Sequence, residues 1–242
     1  DRAGQTHYRI PLMNHLDHLQ ANVPDLAKRR ILDLGSGRGY FLVEAATRGF
    51  QIEGLELFSE YIEKTHVRAK KAGVSVTVTK GRGEELPFVA AQFDFINMAE
   101  LIEHVADPKK VLQEVFRVLS PGGMAYMSVP SRFGMKDPHF HLYGVNWMPR
   151  AWSDAFIGFF GAHKSYDTNA GAQRLSEMHY YTYRAIASRC AHIGFTVHDI
   201  RELRIMRKYP QWLLRTLALG IYRLMRPWYF GTAHILLTKP GL

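Results

Sequence analysis

The chain of 242 residues carries a formal net charge of +9, one cysteine and a hydrophobic fraction of 47%. That length fits a single elaborated domain, the apolar content excludes extended disorder, and a lone Cys190 excludes an internal disulfide, as expected of a reduced cytoplasmic protein. No run of about 18 apolar residues is present to span a bilayer. Basic residues lie at Lys28 to Arg30, Lys64 to Lys71, Arg201 to Lys208 and Arg215 to Arg226, scattered over several elements. No zinc-finger, RNA-recognition or helix-turn-helix signature accompanies them, so nucleic acid is not favoured. An anionic substrate or membrane surface explains the charge at least as well. No signal peptide is visible, and the start at Asp1 rather than Met leaves room for an upstream segment.

In chain order, residues 1–28 read as an N-terminal cap segment. Leu12, His15, Leu16 and Leu19 recur at helical spacing, and Pro24 precedes the first strand. Ile31, Leu32 and Leu34 supply a short buried strand, with Asp33 an acid where such a strand would not normally hold one. Gly35, Gly37 and Gly39 then form a tight strand-to-helix turn that lets a ligand approach the backbone. A helix from Tyr40 to Arg48, a strand from Gln51 to Leu57, a helix capped by Ser59 and running to Lys71, and a strand from Val74 to Thr79 follow. Next come a strand from Phe93 to Met98, a loop from Ala99 to Asp107, a helix from Pro108 to Leu119, a turn at Ser120 to Gly123 and a strand from Met124 to Val129. This alternation predicts parallel βαβ units and the α/β class. Regularity lapses over 132–178, an aromatic- and His-rich insert after the fifth strand, expected to be a lid or substrate insert. It returns with a helix from Thr182 to His192 and a sixth strand from Phe195 to about Ile205. A second, helical insert over 209–230 precedes a last strand at 233–238.

A dinucleotide fingerprint needs Gly-x-Gly-x-x-Gly, and its third glycine would fall on Tyr40. Glu56, about twenty residues past the turn, is placed to grip a ribose diol in either ligand family. The ordered set of Ile31 to Gly39, Gly54 to Leu57, Gly81 to Phe88, Phe93-Asp94, Leu101 to Val105 and Leu119 to Gly123 resembles the class I S-adenosylmethionine-dependent methyltransferases. The resemblance is to the branch containing the ubiquinone-biosynthesis O-methyltransferases and is densest over 29–131, the expected cofactor-binding core. It implies a Rossmann-like, seven-stranded, mostly parallel sheet with an antiparallel last strand, helices on both faces and inserts after strands 5 and 6. It also implies S-adenosylmethionine as cofactor. Asp33 and the glycines Gly35, Gly37 and Gly39 would then hold the methionine portion, and Glu56 the ribose hydroxyls. Leu57 and Phe58 would lie near the adenine, Gly83 and Glu84 at its edge, and Asn97 and Met98 beside the sulfur. One departure stands out. The family usually has an acid at position 82 to accept from the adenine amine, whereas Arg82 can only donate; backbone carbonyls, Glu84 or Glu85 must substitute.

Methyl transfer from a sulfonium needs positioning above all, and a base only where the acceptor carries a proton of high pKa. His104 could be that base, or Glu100, Glu103 and His104 could ligate a divalent metal as in some ubiquinone-pathway relatives, or Glu-His-Val could be a structural turn. His139 and His141 would point the same way in an extended chain, towards a substrate hydroxyl or a metal. Tyr143, Trp147, Tyr166, His179 and Tyr180 are candidates for an aromatic wall or for core. Residues 209–230 mix Trp and Leu with Arg at helical spacing, which fits an interfacial helix on an anionic membrane, a cover over the site or a dimer contact. The reading is methyl transfer to a small-molecule acceptor, at oxygen: a phenol, a sugar or a lipid-linked intermediate. A nicotinamide-dependent oxidoreductase and a non-catalytic protein of the same fold are the alternatives.

Overall fold

The computed structural model describes residues 15–160 and 173–241. Leu12 and Tyr166 lie outside them. Strands β1 (Ile31–Leu34), β2 (Ile52–Glu56), β3 (Val78–Lys80), β4 (Phe93–Met98), β5 (Leu119–Pro130), β6 (Thr196–Asp199) and β7 (Thr232–Thr238) form one sheet in the order β3-β2-β1-β4-β5-β7-β6. The pairs from β3 through to β5 are parallel, and β7 runs antiparallel to both β5 and β6. This is the expected seven-stranded architecture. Leaving β1, the chain winds first towards β2 and later returns to β4 on the other side. The carboxyl ends of β1 and β4 therefore flank the crevice where open α/β sheets bind ligands.

Alternation along the strands separates two apolar layers. Ile31 and Phe95, with Tyr126 and Leu236, face helices α1 (His15–Gln20) and α2 (Tyr40–Thr47). Leu32, Ile96 and Met98 face Val111, Leu112 and Val115 of α4 (Pro108–Val118) and Ile186 and Cys190 of α6 (Tyr183–Ile193). Burial pushes the Cys190 thiol up to about 12, so the sole cysteine is an inert core group. The ends of α4 and α6 follow local chemistry. Asp107 accepts the amides of Lys109 and Lys110, Thr182 accepts that of Ala185, and Gly194 stops α6 at φ +116°.

Four expectations change. The sixth strand stops at Asp199 rather than near Ile205, because the Asp199 carboxylate accepts the amides of Arg201 and Glu202 and caps α7 (Ile200–Lys208). The third strand is only Val78–Lys80, an edge segment pairing with Gly54 to Glu56. Ser59 is the first residue of α3 (Ser59–Lys71) but not its side-chain cap; its hydroxyl accepts from Lys80 at 2.7 Å. The Ser120 to Gly123 turn is absorbed into β5, where Gly122 and Gly123 exchange backbone bonds with Lys239 beyond β7. The two inserts contain α5 (Arg150–Phe159) and α8 (Trp212–Tyr229).

Candidate active site

The glycine turn divides its labour. Gly35, Gly37 and Gly39 all have positive φ, 75°, 53° and 73°. A Cβ on Gly35 would stand 2.8 Å from Leu101 Cδ1, and one on Gly39 2.4 Å from Thr65 Cγ2. Those two glycines serve the protein's own packing. Gly37 faces open space, its nearest neighbour being the Gly35 carbonyl at 4.0 Å, so this is the peptide a ligand can reach. Glu56 closes the turn from the end of β2. It is 5% exposed and accepts the amide of Gly37 at 2.8 Å, that of Leu57 at 2.8 Å and that of Phe58 at 3.0 Å. A carboxylate has about four acceptor positions, so one stays open on a group already held in place. Leu57 and Phe58 beside it are 41% and 43% exposed, an apolar rim at the mouth of the turn.

Asp33 sits beneath. Strand register sets it opposite both Gly54 and Asn97. The Asn97 amide donates to Asp33 Oδ1 at 2.7 Å, and its carbonyl accepts from His15 Nε2 at 3.0 Å. The chain His15–Asn97–Asp33 ties α1 to the sheet under the crevice. Burial raises the Asp33 pKa to about 7, against the Asn97 bond and with a small push from Glu56. Burial also lowers the His15 pKa, opposed by its bond to Asn97, so the ring is a neutral donor. His15 belongs to a cluster with His18, Tyr126 and His234, in which the Tyr126 hydroxyl and His234 Nδ1 are 2.7 Å apart.

Other predicted cofactor residues are placed differently. Met98 is fully buried in the α4 layer, on the face of β4 opposite to Asn97. Gly83 lies against Val111, and Glu84 accepts the amides of Ala106 and Asp107 at 3.0 and 3.4 Å. Arg82 and Glu85 are exposed at a tight turn just past β3.

The loop after β4 meets the first insert. Glu103, His104 and His139 each offer an atom within 4.8 Å of the others. His139 Nε2 is 3.6 Å from Glu103 Oε1, both residues buried, and the two imidazoles meet edge to face at 5.3 Å. His104 is partly exposed, and its Nδ1 donates to Gln173 Oε1 at 2.8 Å while Gln173 Nε2 donates to the His104 carbonyl at 3.0 Å. This clamp leaves the lone pair on His104 Nε2. Glu100 falls outside the trio; it has φ +52°, and its amide donates to Ser128 Oγ.

His139 and His141 do not share the face of an extended segment. Asp137 accepts the amides of His139 and Phe140, and His141 turns at φ +58°. The Tyr180 hydroxyl fixes the other Asp137 oxygen at 2.9 Å, so only His139 joins the Glu103 cluster. Of the suggested aromatic wall, Tyr180 is in a small core with Val145 and Leu175, His179 stacks on Tyr181, and Tyr143 and Trp147 are exposed.

A family model described as "Methyltransferase domain" matches residues 6–200. The chain belongs to this methyltransferase family. It is 28% identical over 135 residues to the ubiquinone biosynthesis O-methyltransferase of Psychrobacter arcticus, covering 53% of this chain and 50% of that protein. To the biotin biosynthesis bifunctional protein BioHC of Cellvibrio japonicus it is 36% identical over 113 residues, covering 47% and 21%. The chain thus spans about half the length of the ubiquinone-pathway relatives it matches. An S-adenosylmethionine dependent methyltransferase from Mesorhizobium loti superposes with a TM-score of 0.59 at 19% identity, over 91% of this chain and 95% of that one. The geranyl diphosphate C-methyltransferase of Streptomyces coelicolor gives 0.53 at 16%, over 88% and 70%. At such identities the structural likeness is one of fold.

Sequence reasoning missed two residues of this candidate site. His15 carried a signal, a polar side chain in register with buried Leu16 and Leu19. Gln173 carried none: it is 69 positions from His104, and no local pattern joins them.

Proposed function

We propose that the chain is an S-adenosylmethionine-dependent methyltransferase that methylates an oxygen of a small acceptor, with His104 as base. The residues at the turn fit the cofactor: Gly37 presents an open peptide, Glu56 a preorganised carboxylate for the ribose, Leu57 and Phe58 apolar flanks for the adenine, and Asp33 an acid for the ammonium. When bound, the cofactor supplies an electrophilic methyl carbon and leaves as a neutral thioether. An acceptor hydroxyl at His104 gives its proton to Nε2 as its oxygen bonds to that carbon. Gln173 keeps the imidazole in the tautomer that can accept, and the Glu103 carboxylate close by stabilises the imidazolium that results. The observation that carries the oxygen reading is this clamp on His104. An acceptor without a proton of high pKa would not need it.

A second reading gives the same three side chains to a divalent metal. Two imidazoles and one carboxylate form a donor set suited to a first-row transition ion more than to Mg²⁺. The ion would use the lone pair on His104 Nε2, so the two roles exclude each other.

Thermal melts with S-adenosylmethionine, its demethylated product, NAD and NADP separate the ligand classes. At about a hundredfold excess over Kd the methionine-derived ligands should add about 2.7 kcal/mol, and stabilisation by a nicotinamide dinucleotide alone would sink the proposal. Turnover of phenolic and catecholic acceptors should survive chelator if His104 is the base; loss of turnover that added metal restores would establish the second reading.

A further inference from the structure

Helix α8 is anchored on one side and bare on the other. Tyr222, its one buried residue, donates to Asp199 at 2.7 Å, and Arg226 reaches Asp199 and Glu202 at 3.0 Å. Opposite them, at 3.6 residues per turn, Leu213, Leu217, Ile221, Leu224, Met225 and Trp228 fall in one stripe roughly 120° wide. Each is between 41% and 75% exposed. The stripe continues off the helix. The Trp228 ring lies 6.0 Å from both Phe133 and Trp147, themselves exposed in the insert that carries His139.

Charge decides what covers such a face. No acid occurs in α8. Over residues 200–229 seven arginines and lysines stand against Glu202 alone, which accounts for six of the chain's nine net positive charges. Arg223 and Arg226 are paired with Glu202, Lys208 closes α7 just before the stripe begins, and Arg215, two residues past Leu213, falls on the Tyr222 side of α8. An apolar stripe with Trp, carried on a segment of strong net positive charge, matches the boundary between lipid headgroups and acyl chains, and anionic headgroups above all. Among the described residues no helix is long and apolar enough to cross a membrane. We propose that α8 docks this protein on an anionic lipid surface, lying in the plane of the interface with the His139 insert turned towards the bilayer.

The proposal does not rest on the methyl-transfer reading, since vesicle binding and ligand-dependent melting are separate measurements. The full chain is sedimented with phosphatidylcholine vesicles with and without about 30 mol% phosphatidylglycerol. Binding about tenfold or more tighter to the anionic vesicles, weakening as salt rises, is expected. Leu217→Glu with Leu224→Glu should abolish it; both side chains face solvent, and an unchanged melting temperature shows that the variant folds. Lys208→Gln with Arg215→Gln should weaken binding and flatten its salt dependence. Absence of binding to the anionic vesicles overturns the proposal, and so does equal binding to both. A chain that elutes as a dimer, turns monomeric in the Glu variant and ignores vesicles would assign the face to a second copy instead.

Discussion

The side of the crevice that we propose for the cofactor and the side that we propose for the acceptor are assembled by different means. On the cofactor side the partners are fixed by strand register: Glu56 meets Gly37 because β1 and β2 are adjacent and parallel, and Asp33 meets Asn97 because β1 and β4 are. On the acceptor side the partners meet through loops. His104 is held by Gln173, and His139 is aimed by an Asp137 turn that Tyr180 locks from another element. A sheet transmits position through many hydrogen bonds, so the first set tolerates change around it. A loop contact depends on a few side chains, which lets acceptor chemistry vary on a constant cofactor frame.

The sharpest way to break this comparison is at His104. His104→Ala should lower kcat by about 10²–10⁴ while leaving the cofactor-induced melting shift intact. Gln173→Leu should cost less and move the acidic limb of the kcat profile, because the imidazole loses the acceptor that fixes its tautomer. Full activity in His104→Ala would remove the base assignment, and a lost cofactor shift would show that the two sides are not separable.

Glu56→Gln tests the other side with the next largest effect. The amide replaces an acceptor oxygen with an NH₂ that confronts backbone N–H donors. Cofactor affinity should fall by about 10–100-fold, on the order of 1.5–3 kcal/mol, read as a reduced melting shift. An unchanged shift would mean that the ribose is held elsewhere.

The same contrast explains what the sequence could tell. The glycine turn, Asp33, Glu56 and the βαβ order were legible because each is a local pattern whose spatial meaning follows from sheet topology. The end of β6 was not, because the segment from Phe195 to Ile205 holds no Gly or Pro to stop a strand, and the end shows only once the Asp199 carboxylate is seen capping α7. His139 and His141 looked equivalent. They part only because the Asp137 carboxylate, seated by Tyr180, bends the chain between them. Arg82 read as a departure from the family's pattern; the structure shows it exposed, with Glu84 turned to the amides of Ala106 and Asp107.

The smallest predicted effect is on pH, and its sign separates the buried groups at the cofactor floor. Asp33 is raised from 3.8 to about 7, so the native protein keeps a proton there that the unfolded chain has released. Its contribution to stability is full below the unfolded value and is lost as pH rises through 7. His18 is lowered from 6.5 to about 4 by burial and then by Arg204, and His15 and His234 are lowered by burial as well. Their contribution is full above 6.5 and is lost as pH falls towards their native values. Between roughly pH 6.5 and 4 unfolding therefore lets the buried imidazoles gain protons while Asp33 gives one up. Stability of the unliganded protein should fall on acidification across that window, where the imidazoles outnumber the acid. Asp33→Asn should make the fall steeper, because it removes the one opposing group, and should raise stability at pH 8, where the wild-type carboxyl is charged and buried. Urea titrations at pH 5, 6.5 and 8 read both effects. A wild-type protein that gains stability towards pH 5 would show that Asp33 outweighs the histidine cluster, and that the floor of the site is governed by this buried acid rather than by the imidazoles packed behind it.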